Sequence, residues 1–227
     1  MRCHVALTPG EAASAPLGIV VDVMRATSTI AQALAAGYQR VLCAAEVEDA
    51  LALKAELGDE AITGGERDAK RVEGFDAGAS PREFREPRAE TLILSTTNGT
   101  RSIVAAAEAC EQVVLGALLN LDAVSAHARE SGVDYTVDCA GYKGAFAIDD
   151  AYCAGRIVRL AGGERTDAAV VCELLAERFT NAIDAINART YGPPGLEEDI
   201  AFCAQVSVLD VVPRFSRMVG PAAEVVA

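Results

Sequence analysis

Along this chain, unbroken apolar runs repeatedly give way to a short polar corner and then to a helix-patterned stretch. "GIVVDVM" (18–24) precedes a helix over 28–37, and "RVLCAA" (40–45) one over 46–57. "ETLILST" (90–96) precedes 99–110, "QVVLGAL" (112–118) precedes 121–132, and "DYTVDCAG" (134–141) precedes 148–163. A strand with one wet face alternates polar and apolar residues, whereas a strand buried on both faces reads as a continuous apolar run. Buried strands alternating with helices predict an α/β fold. The expectation is three α/β/α layers around a mostly parallel or mixed sheet.

The chain has 227 residues, enough for one domain spanning 1–227 or for two α/β lobes. Its core must be aliphatic, since there is no Trp. "EAITGG" (60–65) reads as a further short strand. Residues 66–88 read as a long loop with at most one helical turn, functional or mobile because idle loops of that length are uncommon in compact domains. The chain then reads as helical to about residue 190, turns at "YGPPG" (191–195), and ends its pattern in a helix over 196–205.

Twenty Lys and Arg face thirty-three Asp and Glu, a formal charge of -13. That balance argues against nucleic acid and anionic membranes as partners. A small anionic ligand remains compatible, because it needs only a local cluster of donors or a metal ion. No apolar leader or spanning-length stretch is visible. Seven scattered cysteines without a CxxC pair fit a reduced cytoplasmic protein and speak against a zinc site. A homodimer is expected from the Ala-rich, apolar character of the chain.

Ligands of open parallel sheets bind beyond the carboxyl ends of the strands. There the corners carry Asp22 and Arg25, then Glu66 and Arg67, then Thr97, Asn98, Gly99, Thr100 and Arg101, then Cys139, Gly141, Asp149 and Asp150. If the four strands are parallel, the four corners share one rim. A helix start with a glycine, several hydroxyls and an arginine suits an anion with several oxygens. Asp22, Glu66, Asp149 and Asp150 are hard oxygen ligands suited to Mg²⁺.

Plainer readings exist for most of these residues. "TTNGT" also serves as a helix cap, and Asp149–Asp150 as an acidic first turn. Asp22 is harder to explain away, because a carboxylate in an apolar strand is costly unless paired or metal-bound. Cys139 is a candidate nucleophile. A cysteine-phosphatase loop carries an arginine six residues on, however, and Ala145 stands there, which favours an inert thiol. Neither a GxxxxGK[ST] loop nor a GxGxxG fingerprint is present.

As a set, "VVDVMRATSTIAQALAAG", "GGERDAKRVEGFDAGASPREF", "LSTTNGTRS" and "DCAGYKGAFAIDDAYCAG" resemble the 2-phosphosulfolactate phosphatases, the ComB family, in order and spacing. The resemblance implies an α/β/α enzyme that uses Mg²⁺ to hydrolyse 2-phospho-3-sulfolactate to sulfolactate and phosphate, on the route to coenzyme M. Asp22, Arg25, Glu66 and Cys139 would then be catalytic. Arg67, Thr97, Asn98, Gly99, Thr100, Arg101 and Gly141 would bind substrate, and Asp22, Glu66 and Asp150 would bind the metal. This sequence departs from the family pattern at Asp68–Ala69, where the family carries two glycines, and at Ala79 and Asp149. Those departures leave room for another small phosphorylated acid as substrate, or for an anion-binding module without turnover.

Overall fold

The computed structural model describes residues 1–11 and 14–227. Its strands are β1 (Arg2–Ala6), β2 (Leu17–Val21), β3 (Arg40–Cys43), β4 (Ala61–Arg67), β5 (Lys70–Arg71), β6 (Thr91–Ser95), β7 (Gln112–Gly116), β8 (Tyr135–Cys139), β9 (Glu164–Arg165), β10 (Arg214–Val219) and β11 (Ala222–Val226). Its helices are α1 (Ala26–Ala36), α2 (Val47–Leu57), α3 (Gly99–Ala109), α4 (Leu121–Ser131), α5 (Ile148–Ala161), α6 (Asp167–Arg178), α7 (Ala182–Asn187) and α8 (Glu197–Cys203). The fold is mixed α/β in three layers, as the apolar runs predict. The expected elements recur within a few residues of their predicted limits.

One sheet runs in the order β5-β4-β6-β3-β11-β10-β7-β2-β8-β1-β9. Within it β4, β6 and β3 are parallel, and so are β7, β2, β8, β1 and β9. The C-terminal hairpin β10–β11 joins these two sets through three antiparallel junctions. The four corner-bearing strands therefore form two parallel pairs, β4 with β6 and β2 with β8, rather than one set of common direction. The expectation of a single rim shared by four parallel strands is corrected accordingly. The corners still meet, for the sheet twists along its length and side chains of the two pairs bond across to one another, as described below.

The apolar runs are explained by burial on both faces. Ile19 and Val21 pack with Val137, Tyr152, Ile157 and Cys172 under α4 to α7. Val20, between them, packs with Ile30, Leu34, Leu92, Ile103 and Leu115 under α1 and α3. Farther along the sheet, Leu42 and Ile93 turn to Ala50 and Leu53 of α2. Burying a Leu, Ile or Val side chain stabilises by about 1.5–3 kcal/mol, so these stripes dominate the stability.

The stretch at 66–88 is ordered by contacts rather than idle. β4 and β5 form a hairpin whose two-residue turn is Asp68–Ala69. Asp76 accepts from the backbone and the hydroxyl of Thr63 at 2.8 and 2.9 Å. Phe75, Ala77, Ala79 and Phe84 are buried. A single 3-10 turn, Pro81–Phe84, is the one helical turn expected there.

Candidate functional site

At the β2 corner the chain turns on Asp22. Its amide donates to the Thr27 hydroxyl at 3.0 Å, its carbonyl accepts from the same hydroxyl, and its Oδ1 accepts from Ala26 N–H at 3.2 Å. These bonds satisfy the open start of α1. They leave Oδ2 facing the start of α3. Asp22 is buried, and its pKa is pushed up to about 7, first by burial and further by Asp149 and Glu66, with Ala26 N–H and Arg25 pulling the other way.

The β6 corner answers why "STTNGT" is rich in small donors. Thr96 and Thr100 exchange bonds: Thr96 N–H donates to Thr100 Oγ1 at 3.1 Å, and Thr100 N–H to Thr96 Oγ1 at 3.2 Å. They lock the corner itself. A Cβ on Gly99 would lie 2.3 Å from the Ala26 side chain and 2.5 Å from Asp22 Oδ2. The glycine thus admits Asp22 and α1, where the sequence suggested room for a ligand oxygen. Thr97 N–H donates to Glu66 Oε1 at 2.8 Å, tying the β4 and β6 corners together, while the buried Thr97 Oγ1 has no partner among the described residues.

Glu66 also caps its own hairpin turn through Oε2, which accepts from Ala69 N–H at 2.6 Å. Asp68 and Ala69 both have positive φ, 53° and 61°. Two consecutive left-handed residues are the conformation for which glycine is favoured in a two-residue hairpin, so the Asp68–Ala69 departure falls where a Cβ is least welcome. Asp68 reaches across to Lys143 of the β8 corner at 2.6 Å. That ion pair holds Asp68 below the usual carboxylate range and Lys143 above its ordinary value. Lys143 N–H donates to Asn98 Oδ1 at 3.0 Å. These links join the β4–β6 and β2–β8 pairs.

One pocket opens where the corners meet. Asp22, Arg25, Glu66, Asp68, Thr97, Asn98 and Lys143 line it, together with Arg189, Tyr191 and Pro193 from the segment after α7. Arg25 donates to Asp199 of α8 at 2.5 Å, and Asp199 also accepts from Ser80 and Arg82. Tyr191 donates to Asp149 at 2.5 Å and stacks on Tyr142 with ring centroids 4.5 Å apart. Burial raises the pKa of Asp149, while Tyr191 and Arg189 restrain it.

Several residues named from sequence lie elsewhere. Arg67 turns to the carbonyls of Glu66 and Ala45 and to Ser95 Oγ, where it braces the β4–β6 edge. Arg101 is half exposed and pairs with Glu46 at 2.8 Å, on the groove behind α3. Cys139 is 1% exposed in the core, and its thiol is pushed well up by burial and then by Asp150. A thiol so placed is neither reachable nor readily ionised. Gly141 makes a turn at φ 66° and donates to Asp150. Thr100 is fully buried in the corner.

The carboxylates divide into two kinds. Asp150 has both oxygens occupied, Oδ1 by Val23 N–H and Oδ2 by Gly141 N–H, each at 2.9 Å. It clamps the β2 and β8 ends together and, unlike Asp22 and Glu66, does not line the pocket. Among the described residues no three His, Cys, Asp or Glu are grouped so as to hold an ion. Asp22 and Glu66 line one pocket, and Mg²⁺ typically takes one or two carboxylates with the rest of its shell from water and phosphate. A cation beside them would also relieve the burial and like-charge repulsion that hold Asp22 near 7. The pair fits Mg²⁺ as a two-carboxylate set.

Sequence reasoning missed Arg189, Tyr191, Tyr142 and Lys143. The turn "YGPPG" carried a signal for the first two, since it re-aims the chain over the strand ends.

The fold and this pocket define a class: an α/β/α protein with an anion-suited site between strand-to-helix corners. A family model described as 2-phosphosulpholactate phosphatase matches residues 4–217. The chain belongs to that family, whose members are phosphoric monoester hydrolases. It is 36% identical to a probable 2-phosphosulfolactate phosphatase of Caldanaerobacter subterraneus subsp. tengcongensis, over 86% of each chain. It is 35% identical to a protein of the same description from Thermus thermophilus, over 98% of each chain. A third, from Symbiobacterium thermophilum, is 33% identical over 93% of this chain and 96% of the other. Among the described residues no helix is long and apolar enough to cross a membrane.

Proposed function

We propose that this enzyme hydrolyses 2-phospho-3-sulfolactate to 3-sulfolactate and phosphate with Mg²⁺ bound by Asp22 and Glu66. The observation that carries the reading is the convergence of these two carboxylates with Arg25, Lys143 and Arg189 in one pocket. The names of the relatives supply the substrate. Acids alone would repel a phosphate ester, and arginines alone would bind it without activating a nucleophile. Bound Mg²⁺ would neutralise phosphate charge and polarise the phosphorus.

The protein's own groups do the rest. Arg25 is fixed by Asp199, so its guanidinium is already oriented toward the pocket when substrate arrives. The start of α3 places its positive dipole beside Asn98 at the pocket. Phosphoryl transfer is dominated by positioning and charge stabilisation of this kind. Asp22 has Oδ1 held by Ala26 N–H, so its carboxylate is fixed at the pocket wall where it would hold the cation.

The test is phosphate release by the purified protein from phosphosulfolactate, with Mg²⁺ and with EDTA, beside phospholactate and phosphoglycolate. The reading expects Mg²⁺-dependent release that prefers the sulfonated acid. Equal release from all three esters would move the assignment to a broader phosphatase of small acids, and no release at all would overturn it.

A further inference from the structure

Resting on that reading, and deepening it, we infer that Arg189 is the binding residue for the substrate's sulfonate, in a subsite walled by Tyr191 and Tyr142. Three cationic side chains line the pocket, and two are already engaged. Arg25 donates from Nη1 to Asp199 at 2.5 Å and lies 3.5 Å from the Ala69 carbonyl through Nη2. Lys143 is closed on Asp68 at 2.6 Å. Arg189 differs. Its Nε donates to the Ile186 carbonyl at 3.0 Å, which fixes the plane of the guanidinium. Its nearest carboxylate oxygen, Asp149 Oδ2, stands 3.8 Å from Nη1, beyond hydrogen-bond reach. Among the described residues its terminal nitrogens have no hydrogen-bond partner, its guanidinium carbon lies 5.9 Å over the Tyr191 ring, and the side chain is 10% exposed. A guanidinium that lines a pocket with its terminal nitrogens unbonded to the protein has donors to offer a ligand there.

The anion that fits is a weakly hydrated one. A guanidinium is itself weakly hydrated, planar and presents several donors, which matches an oxyanion with three acceptor oxygens. Tyr191, stacked on Tyr142, and Pro193 give the surrounding wall an apolar body. That wall suits the methylene and sulfonate of the ester better than a strongly hydrated carboxylate. The segment carrying Arg189 lies apart in sequence from the corners of Asp22 and Glu66, so it can read the substrate without taking part in its chemistry. Asp149 holds Arg189 in place by attraction, and Tyr191 occupies its other oxygen.

The experiment compares wild type with Arg189→Gln and Arg189→Lys on three esters. Phosphosulfolactate has both acids, the phosphate ester of isethionate lacks the carboxylate, and phospholactate lacks the sulfonate. For Arg189→Gln the fall in kcat/KM is expected to be at least tenfold larger on the two sulfonated esters than on phospholactate. Arg189→Lys keeps the charge beside Asp149 and guards against a variant that fails to fold. It should keep its Tm and show the same selective loss, less severely. Equal losses on all three esters would make Arg189 structural. A loss confined to the carboxylated esters would assign it to the carboxylate. Both results overturn the inference. If wild type cleaves none of the esters, the proposed function fails instead. Calorimetric titration with 3-sulfolactate and with lactate then decides the subsite. A preference for sulfolactate that the variants lose supports it, and no preference overturns it.

Discussion

Asp138, on β8, has one carboxylate oxygen bonded to the Thr136 hydroxyl and the other, Oδ2, unpartnered and buried among the described residues. Burial lifts its pKa to about 6, with Thr136 restraining the rise. The folded protein therefore holds this proton more tightly than the unfolded chain. Its contribution is fully present at low pH and is lost as pH rises from about 4 through about 6. Asp138→Asn should raise stability at pH 8 by about 2–3 kcal/mol while changing little at pH 4, read by urea unfolding at both values. Arg101 gives a second prediction at this scale. Exposed and paired with Glu46, it should tolerate Arg101→Ala with kcat/KM within about threefold, under roughly 0.7 kcal/mol. Asp22 was legible in the sequence because a carboxylate inside an apolar run demands an explanation. Arg67 and Arg101 stood in equally suggestive places. Only side-chain direction separates them from Arg25, and a corner's sequence does not carry that direction. Arg189 was invisible for the opposite reason, as one polar residue in a polar stretch.

Among the elements, the β6–α3 corner is the most constrained. Its threonines bond each other, its glycine admits Asp22, and its remaining amide and hydroxyl meet Glu66 and the pocket. Gly99→Ala should destabilise by about 1–3 kcal/mol, because the new Cβ meets the Ala26 side chain and a fixed carboxylate. It should also depress kcat by displacing Asp22, so activity and Tm fall together. The interior strands and their helices were legible because continuous apolar runs have few other homes. The first strand and the C-terminal strands were not. "RCHVA" is short and half polar, and "RFSRMV" is exposed along most of its length. Gly220 at the turn between β10 and β11 was the available hint.

At the scale of the whole molecule, the hairpin β10–β11 is what makes two parallel sets into one sheet. β11 pairs with β3 through Ala223, Glu224 and Val225, and β10 meets β7 at Arg214. Glu224 is buried there and bridged by Arg40 at 3.0 Å and Arg217 at 2.9 Å. Val225 is fully buried against the α1–α3 layer. Val225→Ala should cost about 1–3 kcal/mol and shift the urea midpoint of the whole transition, since the seam holds both halves. Strand order of this kind follows from long-range pairing, which local pattern in the sequence does not encode. Hence the layers could be read from sequence, while the opposed directions of the two sets could not.

The account turns on Asp22 as the group that joins fold to chemistry. The most direct test is the rate of Mg²⁺-dependent phosphate release from phosphosulfolactate by Asp22→Asn, beside wild type at pH 7. Asparagine keeps the shape and the bond from Ala26 N–H but loses the charge that would hold the cation. The account predicts a fall in kcat of about a thousandfold or more, on the order of 4 kcal/mol, with the fold intact by circular dichroism. A rate within tenfold of wild type would contradict it and place the reaction elsewhere in the pocket.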